Sequence, residues 1–589
     1  MRRLLVAVLL LTLPVTTLRA QEALTADQRI ADLTQLASFY AKNYAPYEWK
    51  RDVFGFDLLR LTPWLHRIHH SDDLDFQEAL IEYVASLNDA HDLIAFPTNF
   101  SASLGMSVDI YDGRVLIDAI NRILLPAAQF PFGVGDELVS IDGRPVQQII
   151  EGFRKYAIAA NQRSTDRAAA SRLVSRSQQI MPHIPELGDT AVVVIRLAST
   201  GAANAYSIPW VKTGIPITSQ GPVPSPRRGN GRIFLPSDDQ TIQDAAAAGE
   251  SGPVFQIANL PAADNTLPSY MEPLRALLNA SVPKDYYSVL NIGGRFPIYA
   301  LPAGFVRRLG TGSTDFFFSG TYVANGVRIG LIRIPSMSPP NVSLALQQLD
   351  QEIAYFNANT DALVVDVTRN PGGLVSFVES ISQRFIPMPF RTIGFEIRAT
   401  AVWVFQFASL LRNAQLQNAP PAIIANLQAN FEAVLKAYNE NRGRSVPVSL
   451  NSTGSLTLAP APTAYAKPLM VLIDEFSASG GDMFPAIIQD NHRGPIFGMR
   501  SMGAGGSVVG FNGTAFTESF FRVTVSLMNR GNVVQTTEFP PAPFIENIGV
   551  RPDILVDYMT RANLMSAGGP YVQAFTAAIV NLAHSAVTQ

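Results

Sequence analysis

The 589-residue chain contains no cysteine, which excludes a disulfide framework and thiol catalysis. Charge is sparse as well: Asp, Glu, Lys and Arg make up 16% of the residues, and the formal net charge is −3 at pH 7. No lysine- or arginine-rich run breaks that balance, so the electrostatic footprint of a nucleic-acid binder is missing. Lysine disappears altogether after Lys467. Long apolar runs are missing too, apart from residues 4–13, which follow Met1-Arg2-Arg3 and precede Leu18-Arg19-Ala20. That sequence has the charged start, apolar middle and small-residue cut of a leader, and its apolar run is short for a bilayer span. Residues 1–20 are therefore expected to be a cleavable signal peptide on an exported, periplasmic or secreted protein with no stable membrane span.

What the chain has in abundance is apolar: 47% of it is hydrophobic, which suits packed domains rather than disorder. Its length asks for several of them. Residues 21–99 are helical in period, with Leu33, Leu36, Phe39 and Tyr40 on one face and Phe76, Ala79, Leu80, Tyr83 and Val84 on another. Residues 100–213 carry short strand patterns separated by Asp112-Gly113 and Asp142-Gly143. Gly135-Asp136-Glu137-Leu138-Val139-Ser140-Ile141-Asp142-Gly143 resembles the signature stretch of a PDZ domain. Such a module suggests capture of an extended protein or peptide by strand addition. Residues 214–320 lose periodicity, with loop-like stretches at 224–232 and 245–249, and are expected to be a linker or insertion. From 321 to 589 strands alternate with helices, the pattern of a layered α/β core, and 401–441 reads as a helical excursion.

Two places in that core carry chemistry. The apolar run Ala362–Val367 ends in Asn370-Pro371-Gly372-Gly373, and Pro468–Ile473 runs into Ser477-Ala478-Ser479-Gly480-Gly481-Asp482. Glycine allows positive φ and close backbone approach, and a serine at a helix start gains the positive end of that helix. The pair describes a nucleophile, Ser479, facing backbone oxyanion donors: Gly480 after it, and Gly372 or Gly373 opposite, with Gly373 preferred. Pro371 has no N–H to give. A serine hydrolase, and above all a protease, follows.

Serine needs a base. A lysine dyad finds no lysine after Ser479, and Lys436 and Lys467 lie outside any strand-end motif. The order Ser479, Glu546, His584 is that of α/β-hydrolase esterases, but His584 lies on a terminal amphipathic helix. His91, in Asn88-Asp89-Ala90-His91, is the third candidate, with the proton affinity to act near neutrality.

These residues resemble the tail-specific, or carboxyl-terminal processing, protease family. The resemblance rests on Asp366-Val-Thr-Arg-Asn-Pro-Gly-Gly373, Ser477–Asp482, Gln489-Asp490-Asn491, Arg500–Gly506 and Glu546-Asn-Ile-Gly-Val-Arg-Pro-Asp553. Lysine-dependent members have lysine where this chain has Ala504. The Gly503–Gly506 turn, Glu546 and His91 instead resemble the branch of tricorn-type cores and the chlamydial protease-like activity factor. That resemblance implies a triad of Ser479, His91 and Glu546. It also implies a multidomain α/β fold of helical N-terminal part, PDZ-like module and crotonase-like (ββα) core, without metal or organic cofactor. A non-catalytic peptide-binding protein with a protease-like core, Ala504 being its mark of decay, is the competing class.

Overall fold

Residues of the two apolar runs alternate between two hydrophobic cores. Leu363, Val365, Leu469, Val471 and Ile473 face one core, while Val364, Met470 and Leu472 face the other. Successive strand residues point to opposite faces, and a run apolar at every position is what a sheet covered on both sides requires. In the computed structural model, which describes residues 23–157, 159–219 and 292–587, these strands are the centre of a seven-stranded sheet. Its order is Val306–Leu309, Phe318–Ala324, Val327–Arg333, Ala362–Asp366, Leu469–Ile473, Ile496–Gly498 and Ile554–Leu555. The first three strands pair antiparallel and the rest parallel. Helices Val342–Asn359, Val375–Phe385 and Gly480–Asp490 cover one face. The terminal helix Gly569–Val587 covers the other, through Phe575, Ile579 and Val580. Each such side chain withdrawn from water contributes about 1.5–3 kcal/mol.

The helical start is four helices, Ala26–Asn43, Tyr47–Phe54, Thr62–His69 and Asp73–Ala85. They bury Leu33, Leu36 and Tyr40 against Phe76, Leu80 and Tyr83. This part is stitched to the core: Ile94–Ala95 pairs with Phe520–Thr524, and the Ala45 N–H donates to Thr524 O at 2.8 Å. The next module is a sheet ordered Met106–Tyr111, Arg114–Ile120, Glu137–Ile141, Thr190–Arg196 and Ala203–Pro209. Its Asp112-Gly113 and Asp142-Gly143 turns take positive φ at both positions, the hairpin geometry those residue pairs favour. The edge strand Met106–Tyr111 is closed off by helix Gln162–Ser171, whose Arg167 forks onto Asp109 at 2.6 and 2.9 Å.

The stretch expected to be linker divides. Val306–Leu309 within it is an edge strand of the core sheet, and Phe318–Ala324 begins before the expected boundary at 321. Three of the four residues of the first strand are exposed, so it lacks the alternation that marks a half-buried strand. The leader and the loop-like stretches at 224–232 and 245–249 lie outside the described residues. Residues 401–441 form two helices, Ala401–Leu416 and Pro421–Asn439. Among the described residues no helix is long and apolar enough to cross a membrane.

Candidate active site

Parallel strands Ala362–Asp366 and Leu469–Ile473 end side by side, so the turns that follow meet at one edge of the sheet. The contact is backbone on backbone. Ala478 N–H donates to Asn370 O at 2.9 Å, and a Cβ on Gly372 would lie 2.5 Å from Gly480 N and 2.6 Å from Ser479 Cβ. With φ +92° as well, position 372 admits only glycine. Ser479 heads helix Gly480–Asp490 at φ +55°, ψ −113°, a strained conformation for a residue with a side chain. Its N–H donates to Asp482 Oδ2 at 2.7 Å. Asp482 also accepts from Ser501 Oγ at 2.5 Å, Gly503 N at 2.8 Å and Ala504 N at 3.0 Å, tying the nucleophile turn to the 501–504 loop. Burial nevertheless pushes its carboxyl up to about 6. The neighbouring Ser477 is consumed structurally: its hydroxyl donates to Val367 O at 2.8 Å and accepts from Asp474 N at 3.1 Å.

The three glycines separate by what their N–H groups do. Gly372 N–H donates to Asn370 Oδ1 at 2.8 Å, so it is spoken for, and its candidacy as an oxyanion donor falls. Gly373 pairs with Met337 through its neighbours: Met337 N–H goes to Gly372 O at 2.8 Å and Leu374 N–H to Met337 O at 2.9 Å. That parallel pairing turns the Gly373 N–H to the opposite side. Among the described residues neither Gly373 N–H nor Gly480 N–H has an acceptor.

A second cluster lies along the same loop. Gly505 N–H donates to Glu546 Oε2 at 2.8 Å, and Glu546 is completely buried. Lys50, from the second helix of the N-terminal part, is equally buried. Its ammonium donates to Glu546 Oε1 at 2.5 Å, Asn547 Oδ1 at 2.7 Å and Asn88 O at 2.8 Å. Asn547 joins three parts of the chain: it accepts from Trp49 Nε1 at 3.0 Å and donates to Asn88 O at 2.9 Å and Ala160 O at 3.1 Å. His91 is 5% exposed, and side-chain ligand atoms of Asp89, His91 and Glu546 lie within 4.8 Å of one another. Asp89 accepts the His91 backbone N–H at 2.9 Å and the Tyr44 hydroxyl at 3.0 Å. Three such ligands could surround a metal ion, but Lys50 already supplies the cation there. Burial pushes the His91 imidazole down to about 4, with Arg522 and Lys50 acting in the same direction and Asp89 against. The expected titration near neutrality is therefore displaced: a ring out of water holds its extra proton poorly. Burial and the Asp89 charge push Glu546 up, and Lys50 and Gly505 oppose them.

The structure thus brings His91 and Glu546 into one buried cluster and joins it to the Ser479 turn through loop 503–505. No hydrogen bond connects Ser479 to His91, and His91 Nδ1 is buried without a partner. His584 is exposed on the terminal helix, on the far face of the sheet from helix Gly480–Asp490. Ala504 is 1% exposed, and Cβ atoms on Gly505 or Gly506 would strike Glu546 N at 2.2 Å or Ser526 O at 2.3 Å. Lys50, Asp89, Asp482 and Asn547 were missed as site residues. A lysine in a helix reads as solvated; for the others, the signal was adjacency to a candidate, Asp89 to His91 and Asn547 to Glu546. Asp490, at the end of the helix that Ser479 heads, pairs with Arg530 at 2.6 Å.

Residues 328–556 match the profile of peptidase family S41, and residues 100–214 that of a PDZ domain. A protein of Chlamydia trachomatis serovar D is 25% identical over 574 residues, covering 90% of this chain and 89% of its own. A protein of Chlamydia pneumoniae is 26% identical over 588 residues, covering 94% and 90%. The crystal structure of mature CPAF superposes with a TM-score of 0.72 at 21% identity, over 95% of this chain and 98% of the other. A structure of mature CPAF complexed with lactacystin gives 0.71, also at 21% identity, over 95% and 99%. With an S41 core at residues 328–556 behind a PDZ domain at residues 100–214, the chain has the domain architecture of a serine-type peptidase.

Proposed function

We propose that the protein is an exported endopeptidase that cleaves protein substrates through an acyl-enzyme on Ser479. In this reading His91 takes the Ser479 hydroxyl proton as oxygen attacks the scissile carbonyl, then returns it to the leaving amine. Water repeats the cycle on the acyl-enzyme and releases the second product. Glu546 orients the imidazole and stabilises its charged form, and the Gly373 and Gly480 N–H groups receive the oxyanion. Such a donor is worth about 2.7–4 kcal/mol in the transition state.

The observation that carries the proposal is the meeting of the two turns, with Gly373 and Gly480 N–H groups uncommitted beside Ser479. The neutral state of buried His91 supports its role as a base. Closing the gap between His91 and Ser479 is assigned to substrate binding, since catalytic hydrogen bonds often tighten only in the Michaelis complex. Leader-like residues 1–20 support export. For substrate capture, the exposed edge strand Ala203–Pro209 offers the PDZ domain's open side for strand addition. The test is fluorophosphonate labelling of the purified protein with hydrolysis of a casein or peptide library. Labelling at Ser479, lost in Ser479→Ala and strongly slowed in His91→Ala, is the expected result. Labelling at another serine would move the nucleophile, and no turnover on any peptide would favour the binding-protein reading.

A further inference from the structure

We propose that Lys50 is a positioning residue of this site, a fixed cation that holds Glu546 against His91 and fastens the helical N-terminal part to the core there. The inference rests on the assignment of Ser479, His91 and Glu546 just made. Its first support is geometry. A lysine ammonium has three protons to donate, and all three of Lys50 are taken, by Asn88 O in the N-terminal part and by Glu546 and Asn547 in the core. A lysine with no exposed surface is rare unless paired, and truncating one partner of a buried pair leaves an uncompensated charge. Helix Tyr47–Phe54 holds Lys50 from one side, and Trp49 on the same helix donates to Asn547 at 3.0 Å, so the ammonium has little room to leave Glu546.

The second support is the balance of charge. Asp89 and Glu546 share one buried pocket with His91. Two carboxylates so close cannot both stay ionised without compensation. With Lys50 holding both carboxylates in the ionised form, the group of four carries −1 while His91 is neutral and zero once His91 takes a proton. The imidazolium formed as Ser479 attacks therefore completes a neutral cluster instead of adding a charge. Without Lys50 the same pocket would start at −2 and draw a proton onto a carboxylate or onto His91 before substrate arrives. The other ionisable groups around His91 are Arg522, from the strand packed against Ile94–Ala95, and Asp92, whose carboxyl is pushed well up by burial and the Asp89 charge and whose Oδ1 accepts from Thr524 N at 2.9 Å.

The experiment compares Lys50→Met, Glu546→Gln and the double variant in the full chain, reading kcat, KM, the pH profile of kcat/KM and thermal stability. Lys50→Met keeps the stem and deletes the charge. The expected results are a kcat lower by about 10- to 100-fold, an unchanged KM and an acid limb about one pH unit higher. The double variant, free of the unpaired carboxylate, is expected to fold and to be no slower than Glu546→Gln alone, because Lys50 acts through Glu546. A Lys50→Met enzyme with wild-type kcat and acid limb, whatever its melting temperature, overturns the proposal while the triad stands. Additive losses in the double variant overturn it too. Full activity in Glu546→Gln would sink the triad assignment itself, and with it the inference.

Discussion

The two halves of the site are built from different materials. The serine half is backbone: two strand-end turns pressed together, positive-φ residues, and N–H groups fixed by Asn370, Met337 and Asp482. Its members lie within about a hundred residues and on one sheet. The histidine half is charge: Lys50, Asp89, His91 and Glu546, buried together although Lys50 and Glu546 are 496 positions apart in the chain. A half made of turn geometry tolerates no added atom, whereas a half made of paired charges tolerates no lost partner.

Substitutions that attack each half in its own terms sharpen this contrast. The largest effect is expected from Ser479→Ala, which should lower turnover by roughly six powers of ten with an unchanged melting curve; residual turnover above that level would mean a second nucleophile. Asp482→Asn comes next, because an amide replaces a carboxylate that four donors address. Hydrogen bonds to a charged group are worth about 1.5–3 kcal/mol each, so both melting temperature and kcat should fall. Stability unaffected by this change would show that loop 501–504 is held some other way. Gly372→Ala inserts a methyl between the turns and should lower kcat by about 100-fold through the displaced oxyanion donors, while labelling at Ser479 slows and the pH profile keeps its shape. A shifted pH profile in that variant would erase the distinction between the halves.

The smallest effect is in pH. His91 is held neutral in the fold at about 4, below its usual 6.5, so the unfolded chain takes up the proton first. Stability contributed by this group is complete above about 6.5 and is lost as pH falls toward 4, at up to about 1.4 kcal/mol per unit. Denaturant titrations across that window should show the slope, and His91→Ala should flatten it. His584→Ala should change neither slope nor turnover.

The serine half was legible because its signals are local. Apolar runs ending in glycine turns announce buried strands and close approach, and Ser479, Gly373 and Gly480 fall at those ends. The histidine half was legible only where it resembled something known, at His91 and Glu546. Lys50 sits in Trp49-Lys50-Arg51, and nothing within a few residues distinguishes a lysine that is swallowed from one that is solvated; its acceptors arrive from Asn88 and from the other end of the chain. The same physics hid strand Val306–Leu309, which owes its conformation to hydrogen bonds with Phe318–Ala324 rather than to its own exposed side chains.

The distance along the chain between Lys50 and Glu546 also bears on how such a protein is made. A ribosome delivers Lys50 and His91 early, and Ser479 and Glu546 only near the end of synthesis. During elongation the helical N-terminal part must keep Lys50 in water or on Asn88 alone, because its remaining two acceptors do not yet exist. The histidine half therefore forms as one of the last events of folding, and a nascent, truncated or clipped chain lacking residue 546 has no assembled pocket around His91. Under the mechanism proposed above, that order of assembly is a safeguard: the chain would not cut its surroundings, or itself, before it is nearly whole.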